Sequence, residues 1–225
     1  MTALGAVNSA TDLDTILTRS DGWVTDASTW TYASASTFTI AGDKTAIFMA
    51  GTRLKWTQTT VKYGVVISSS YSNPNTTVTI AVNSNYVVTN AAISATYYSY
   101  ANPPDYPDYF DFVTTFTGFT ATVPIVIYRY CIVGHTCIIN ITTTVNGTSN
   151  ATSFTVTMPV LSKNTAGYYQ YGTAPWAYDN GAVIGSAICW TTPGANTVTI
   201  NKSATSQGWT NVNNKSAEVK IFVEF

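Results

Sequence analysis

From Trp23 onward the chain keeps a two-residue rhythm. Val78, Ile80 and Val82 alternate with Thr77, Thr79 and Ala81, and Phe154, Val156 and Met158 alternate with Thr155 and Thr157. A strand turns successive side chains to opposite faces, so this spacing gathers the apolar groups on one side and the hydroxyls on the other. Helical spacing is confined to the start of the chain. There Leu13, Ile16 and Leu17 stand at i, i+3, i+4, with Ser9 or Thr11 as a cap and Asp12 and Asp14 in the first turn. The expectation is therefore an all-β body behind a short N-terminal arm or helix, which either docks on a neighbour or packs on its own domain.

Residues that are usually charged are here threonine, serine and asparagine. Charged residues make up 9% of the 225, against roughly a quarter in ordinary soluble domains, while hydrophobic content is 45%. Threonine's branched Cβ suits a pleated surface, and 15 tyrosines and 6 tryptophans add to the same bias. So little charge protects poorly against self-association, which points to large protein–protein contacts. A net charge of -1 with no basic run lacks the cationic face that nucleic acid requires. No run of 18 apolar residues suggests a membrane span, and the N-terminus lacks the basic and apolar regions of a signal peptide. An odd cysteine count of three argues against a disulfide scaffold.

Turn signals divide the alternating stretches. In the first half they fall at Ala41-Gly42-Asp43-Lys44, at Ala50-Gly51 after the run Ile47–Met49, and at Ser72-Asn73-Pro74-Asn75. Val61 to Ser68 is nearly continuous in apolar character and reads as a central strand. Five or six short strands make a small barrel or sandwich. Pro103, Pro104 and Pro107 then mark a stiff connector. Around it Tyr97, Tyr98, Tyr100, Tyr106, Tyr109 and Phe110 are expected to glue domains or protomers together. About eight further strands after Phe110, with Gly167–Gly181 read as a long aromatic loop, suit a β-sandwich. The expected layout is an arm or helix at 1–21, a β-barrel-like module at 22–101, a Pro/Tyr linker at 102–110 and a jelly-roll-type sandwich at 111–225.

The segment DGWVTDASTWTYASASTFTIAGDKTAIFMAGTRLKWTQTTVKYGVV, followed by NTTVTI, resembles a small β-module of structural proteins from tailed bacteriophages and prophages. The later elements YCIVGHTC, TSNATSFTV with Met158-Pro159-Val160, Asp179-Asn180-Gly181 and Gly208-Trp209-Thr210 resemble the head domains of phage fibre and tip proteins. The resemblance implies a non-enzymatic virion protein, made in the bacterial cytoplasm and placed in a tail, fibre or baseplate. It implies contacts with other virion proteins, a homotrimer and host-surface binding. A capsid-surface decoration or head-fibre protein is the alternative within that class. A carbohydrate-binding module and a small glycan-processing enzyme lie outside it.

No catalytic constellation stands out, and no cofactor or metal is expected. The single histidine, His135, lies between Cys131 and Cys137, a spacing that suits zinc only on one straight strand. A three-residue hairpin loop there would set Cys131 opposite Cys137, as a disulfide or as two small buried hydrophobes, with packing the expectation. Asp105, Asp108 and Asp111 in the linker read as solvated turn residues rather than calcium ligands. The best ligand candidate is the aromatic stretch with Tyr168, Tyr169, Tyr171, Trp176, Tyr178, Asp179 and Asn180. Aromatic faces stack on sugar rings while carboxylates and amides take hydroxyls, which would suit a host-surface glycan. The competing reading buries these rings at the sandwich edge or at a subunit interface.

Overall fold

Hydroxyls outside and apolar groups inside should give sheets that curl around two cores, and that is the arrangement found. The computed structural model describes residues 21–112, 114–121, 127–143, 147–202, 208–211 and 214–225. The helix expected over the first residues lies outside them. The described residues form strands joined by turns, with a 3-10 turn at Ser84–Tyr86. They fall into two compact units: residues up to Thr79 with Val88–Pro107, and Ile80–Val87 with Asp108–Phe225.

The first unit is built on β1 (Val24–Thr25), β2 (Trp30–Ser34), β3 (Thr37–Ala41), β4 (Arg53–Gln58), β5 (Thr60–Ser72), β6 (Asn75–Val82, whose end from Ile80 onward belongs to the second unit) and β7 (Ser94–Ser99). They pair in the order β1-β7-β4-β5-β6-β3-β2. The two edge strands are consecutive in sequence, joined only by residues 26–29. Such a link reaches about 17 Å, whereas seven strands laid flat would separate their edges by about 29 Å. The sheet must therefore curl until its edges approach. Inside the curl Trp30 stacks on Phe38 with ring centroids 4.3 Å apart and meets Phe48 edge-on at 5.7 Å. Leu54, Trp56, Val65, Val66 and Val78 complete that core. Ile47–Met49 is a turn rather than a strand. The amides of Ile47 and Phe48 both donate to Lys44 O, which drives the Phe48 ring fully inside.

The proline-rich segment read as a connector is fastened to this unit by Asp105. Its carboxylate accepts from Trp23 Nε1 at 2.6 Å, Lys55 Nζ at 2.7 Å and Tyr63 Oη at 3.0 Å. Tyr106 lies against Trp23 and Tyr63 and donates its hydroxyl to Gly64 O. Burial alone would raise the Asp105 pKa, but the bonds from Lys55, Trp23 and Tyr63 outweigh it and hold the carboxyl below its ordinary value. A depressed carboxyl contributes stability above the ordinary value of 3.8 and loses it as pH falls through the lowered value. Asp105→Ala is expected to cost about 1–2 kcal/mol, discounted for partial exposure. A lower melting temperature with a red-shifted tryptophan emission would register it.

The second unit contains β8 (Phe110–Asp111), β9 (Phe116–Thr117), β10 (Ile127–Val133), β11 (Thr136–Thr142), β12 (Gly147–Thr148), β13 (Thr155–Thr157), β14 (Gln170–Asp179), β15 (Ala182–Thr191), β16 (Thr197–Asn201) and β17 (Asn214–Glu224). The pairing path is β8-β10-β11-β17-β14-β15-β16-β13-β9, and β12 pairs β17. The path closes on itself. Phe119, just beyond β9, bridges Ser149, just beyond β12, and β12 returns to β17. Inside lie Tyr130, Ile139, Ile141, Phe154, Val198, Ile200, Trp209 and Ile221, each no more than 1% exposed. The Trp209 indole donates to Ile200 O at 2.8 Å, and Tyr130 donates to Val82 O at 2.9 Å.

The β10–β11 hairpin corrects the expected loop length. Val133 pairs Thr136, so the loop is the two residues Gly134-His135, with Gly134 at φ 59. Cys131 consequently faces Ile138, and Cys137 faces Ile132. An even loop shifts the parity by one, placing Cys137 in the core and Cys131 on the outer side, and both are free thiols. Burial pushes the Cys137 thiol well above its ordinary pKa, as does the nearby Cys131, so it packs as a small hydrophobe.

Candidate functional site

The stretch read as an aromatic loop is the strand β14, hairpinned to β15 through Asn180-Gly181. Glycine and proline suggested a loop, but both have strand-specific reasons to be there. A Cβ on Gly172 would come within 2.6 Å of Lys220 O and 2.7 Å of Cys189 Sγ, so only glycine fits between β15 and β17. Pro175 lies where the register shifts between Ala174 and Ala177, in a bulge that needs no donor from it. Asn180 at φ 51 and Gly181 at φ 85 give the left-handed pair that a two-residue hairpin turn demands.

This strand sorts the seven candidate residues. Asp179 points into the unit and is 2% exposed. Its carboxylate pairs with Lys202 Nζ at 2.7 Å and accepts from Thr210 N and Oγ1. It is a structural anchor, closed to a sugar hydroxyl. Asn180 makes the turn, its amide donating to Asn214 O. Tyr168 turns aside, and its hydroxyl donates to Glu224, which also holds Lys163. Those partners shift the three groups: hydrogen bonds from Lys163 and Tyr168 hold the Glu224 carboxyl below its ordinary value, and the Glu224 carboxylate raises both Lys163 and Tyr168.

Trp176 and Tyr178 lie near each other on the outer side, rings 6.5 Å apart and 20° from parallel. Tyr169 and Tyr171 meet a residue that sequence reasoning passed over, Trp190 of β15. Tyr171 is its cross-strand partner, and the Tyr169 ring lies 5.8 Å from it. Phe222 of β17, 52% exposed, belongs to the same outer surface. Two residues along from the Thr173–Lys220 pair, β14 carries Tyr171 and β17 carries Phe222. Hairpin arithmetic from Asn180-Gly181 was the available signal for Trp190. The loop reading hid it.

The outer surface is uncharged along one register row. Cys131 pairs Ile138, Ile138 pairs Phe222, Tyr171 pairs Trp190, Trp190 pairs Thr199, Thr199 pairs Thr155 and Thr155 pairs Thr117. Among the described residues no three His, Cys, Asp or Glu side chains gather as a metal set. Chemically the face offers stacking and neutral hydrogen bonds.

Comparison with protein-family models, with curated proteins and with solved structures found no match to this chain.

Proposed function

We propose that the chain is a non-enzymatic structural protein of a tailed-bacteriophage virion, a tail or fibre component that assembles through protein–protein contacts and touches the host surface. The short N-terminal arm or helix, the Pro-rich linker and a jelly-roll-type head belong to this reading. So do a homotrimeric state, other virion proteins as partners, and synthesis in the bacterial cytoplasm followed by incorporation in the particle. The observation that carries it is the outer surface of the second unit. Val133, Tyr171, Val183 and Phe222 are each more than half exposed there, an apolar face open to contact in a chain with few charges. No helix among the described residues is long and apolar enough to cross a membrane.

A capsid-surface decoration or head-fibre protein would use the same two units, and antibody-labelled particles in the electron microscope distinguish tail from capsid. A carbohydrate-binding module is the second reading, favoured by the rings around Trp190. Purified protein is expected to scatter light as a trimer at micromolar concentration. A strictly monomeric mass would remove the trimer from the proposal.

A further inference from the structure

We infer that the outer row running from Phe222 to Thr117 is a binding shelf for a neutral, hydroxyl-rich glycan chain. The inference rests on the surface-contact reading above and gives its ligand class. The first half of the row is aromatic: Phe222, then Tyr171 at 66% exposure, then Trp190 with Tyr169 against it. The second half is hydroxyl: Thr199, Thr155 and Thr117 on three successive strands. Thr117 and Thr155 share a hydrogen bond at 2.5 Å, and Thr115 and Thr157 form a parallel one at 2.6 Å. A hydroxyl bonded to one neighbour retains capacity for a second bond, so the ladder orders its hydroxyls without saturating them.

A sugar ring presents an apolar C–H face and a rim of hydroxyls. The first needs an aromatic plane, and the second needs fixed neutral donors and acceptors beside it. Both stand next to each other at the Trp190–Thr199 pair. Six strands at a spacing of about 4.8 Å give the row an arc of about 24 Å around the curled sheet, which suits a chain that follows the curve rather than one sugar. Charge selects among glycans. No residue of the row is charged, the nearby Lys163 and Glu224 neutralise each other, and Lys220 is a single cation against the aromatic end, its Nζ 5.7 Å from the Phe222 ring centroid. One lysine is not the cationic track that a polyanionic glycan needs.

Titration calorimetry of the intact chain against dextran, mannan and galactan, with hyaluronate as the polyanion, tests the shelf. Binding to at least one neutral polymer and none to hyaluronate is expected. Tyr171→Ala should weaken it about tenfold, and Thr155→Val, which keeps the shape and removes the hydroxyl, about threefold, with melting temperatures unchanged. Absence of binding to all neutral polymers, or binding that neither variant weakens, overturns the inference. Dissociation of an oligomer by Tyr171→Ala also overturns it, since a second copy would then occupy the face. A chain that remains trimeric and particle-bound but takes no glycan refutes the shelf alone. A monomer that still binds glycan refutes the trimer alone.

Discussion

Replacing Gly118 by alanine is expected to destabilise the second unit by about 3–5 kcal/mol, a fall of roughly 10 °C or more in melting temperature. Gly118 sits at φ +90, and a Cβ there would stand 2.1 Å from Ser153 O and 2.9 Å from Lys215 Nζ. The nearer atom is backbone and has no rotamer to escape into. The position is also the seam of the sheet: Gly118 O accepts from Asn150 N, and the next residue makes the bridge to Ser149. Relieving the clash therefore opens the ring of pairing. Gly134→Ala is the control. That glycine is at φ +59 with nothing within 4 Å of the added Cβ, so only backbone strain of about 1 kcal/mol is expected. Equal losses for the two variants in thermal unfolding would show that steric contact at the seam is unimportant.

The second large effect is at Lys215, a lysine with no exposed surface. Its ammonium donates to Ala151 O at 2.8 Å and Ser153 O at 2.9 Å, and it lies over the Phe119 and Phe154 rings. Burial lowers its pKa from 10.5 to about 8, with the Asp179 charge opposing the shift in part. Below about pH 8 both folded and unfolded chains carry the proton, and the folded one bears the full cost of the buried cation. As pH rises from about 8 to 10.5 the unfolded chain holds more protons, so stability rises, by about 3 kcal/mol from this group. Tyrosine ionisation acts in the opposite sense, so the quantity to measure is wild type minus Lys215→Met across denaturant melts at pH 7.5 to 10. A flat difference would mean the lysine titrates normally. Lys215→Ala is expected to cost about 2–4 kcal/mol at neutral pH, because the Ala151 and Ser153 carbonyls lose a charged donor and a void opens beside Phe154.

Alternation alone made the all-β character legible, because threonine against valine or phenylalanine has no helical explanation. Val61–Ser68 falls within β5, in the middle of the first sheet. What alternation concealed was set by contacts distant in sequence. Gly172 reads as a loop residue until β17 and Cys189 are beside it. Lys215 shares its parity with Ala217, Val219 and Ile221, so its inward aim was available from spacing, but a charge at a core position invites the opposite reading. Cys131 and Cys137 turned on a single residue of loop length. The closing contact rests on the lone pair Phe119–Ser149, too local to leave a pattern. For the candidate site, Tyr169, Tyr171, Trp176 and Tyr178 were found by composition, while Trp190 and the threonine ladder needed the pairing.

A curled sheet whose margins meet leaves few open backbone groups. In the second unit the path ends in β8, a strand of two residues, and in β9, which passes on to the bridge. Among the described residues the free margin is short: the part of β10 that β8 leaves uncovered. Addition of a neighbour's strand, the root of fibrillar aggregation, has only that short template in a ribbon-rich unit with little charge to discourage it. What sticks elsewhere on the described sheet must read its side chains.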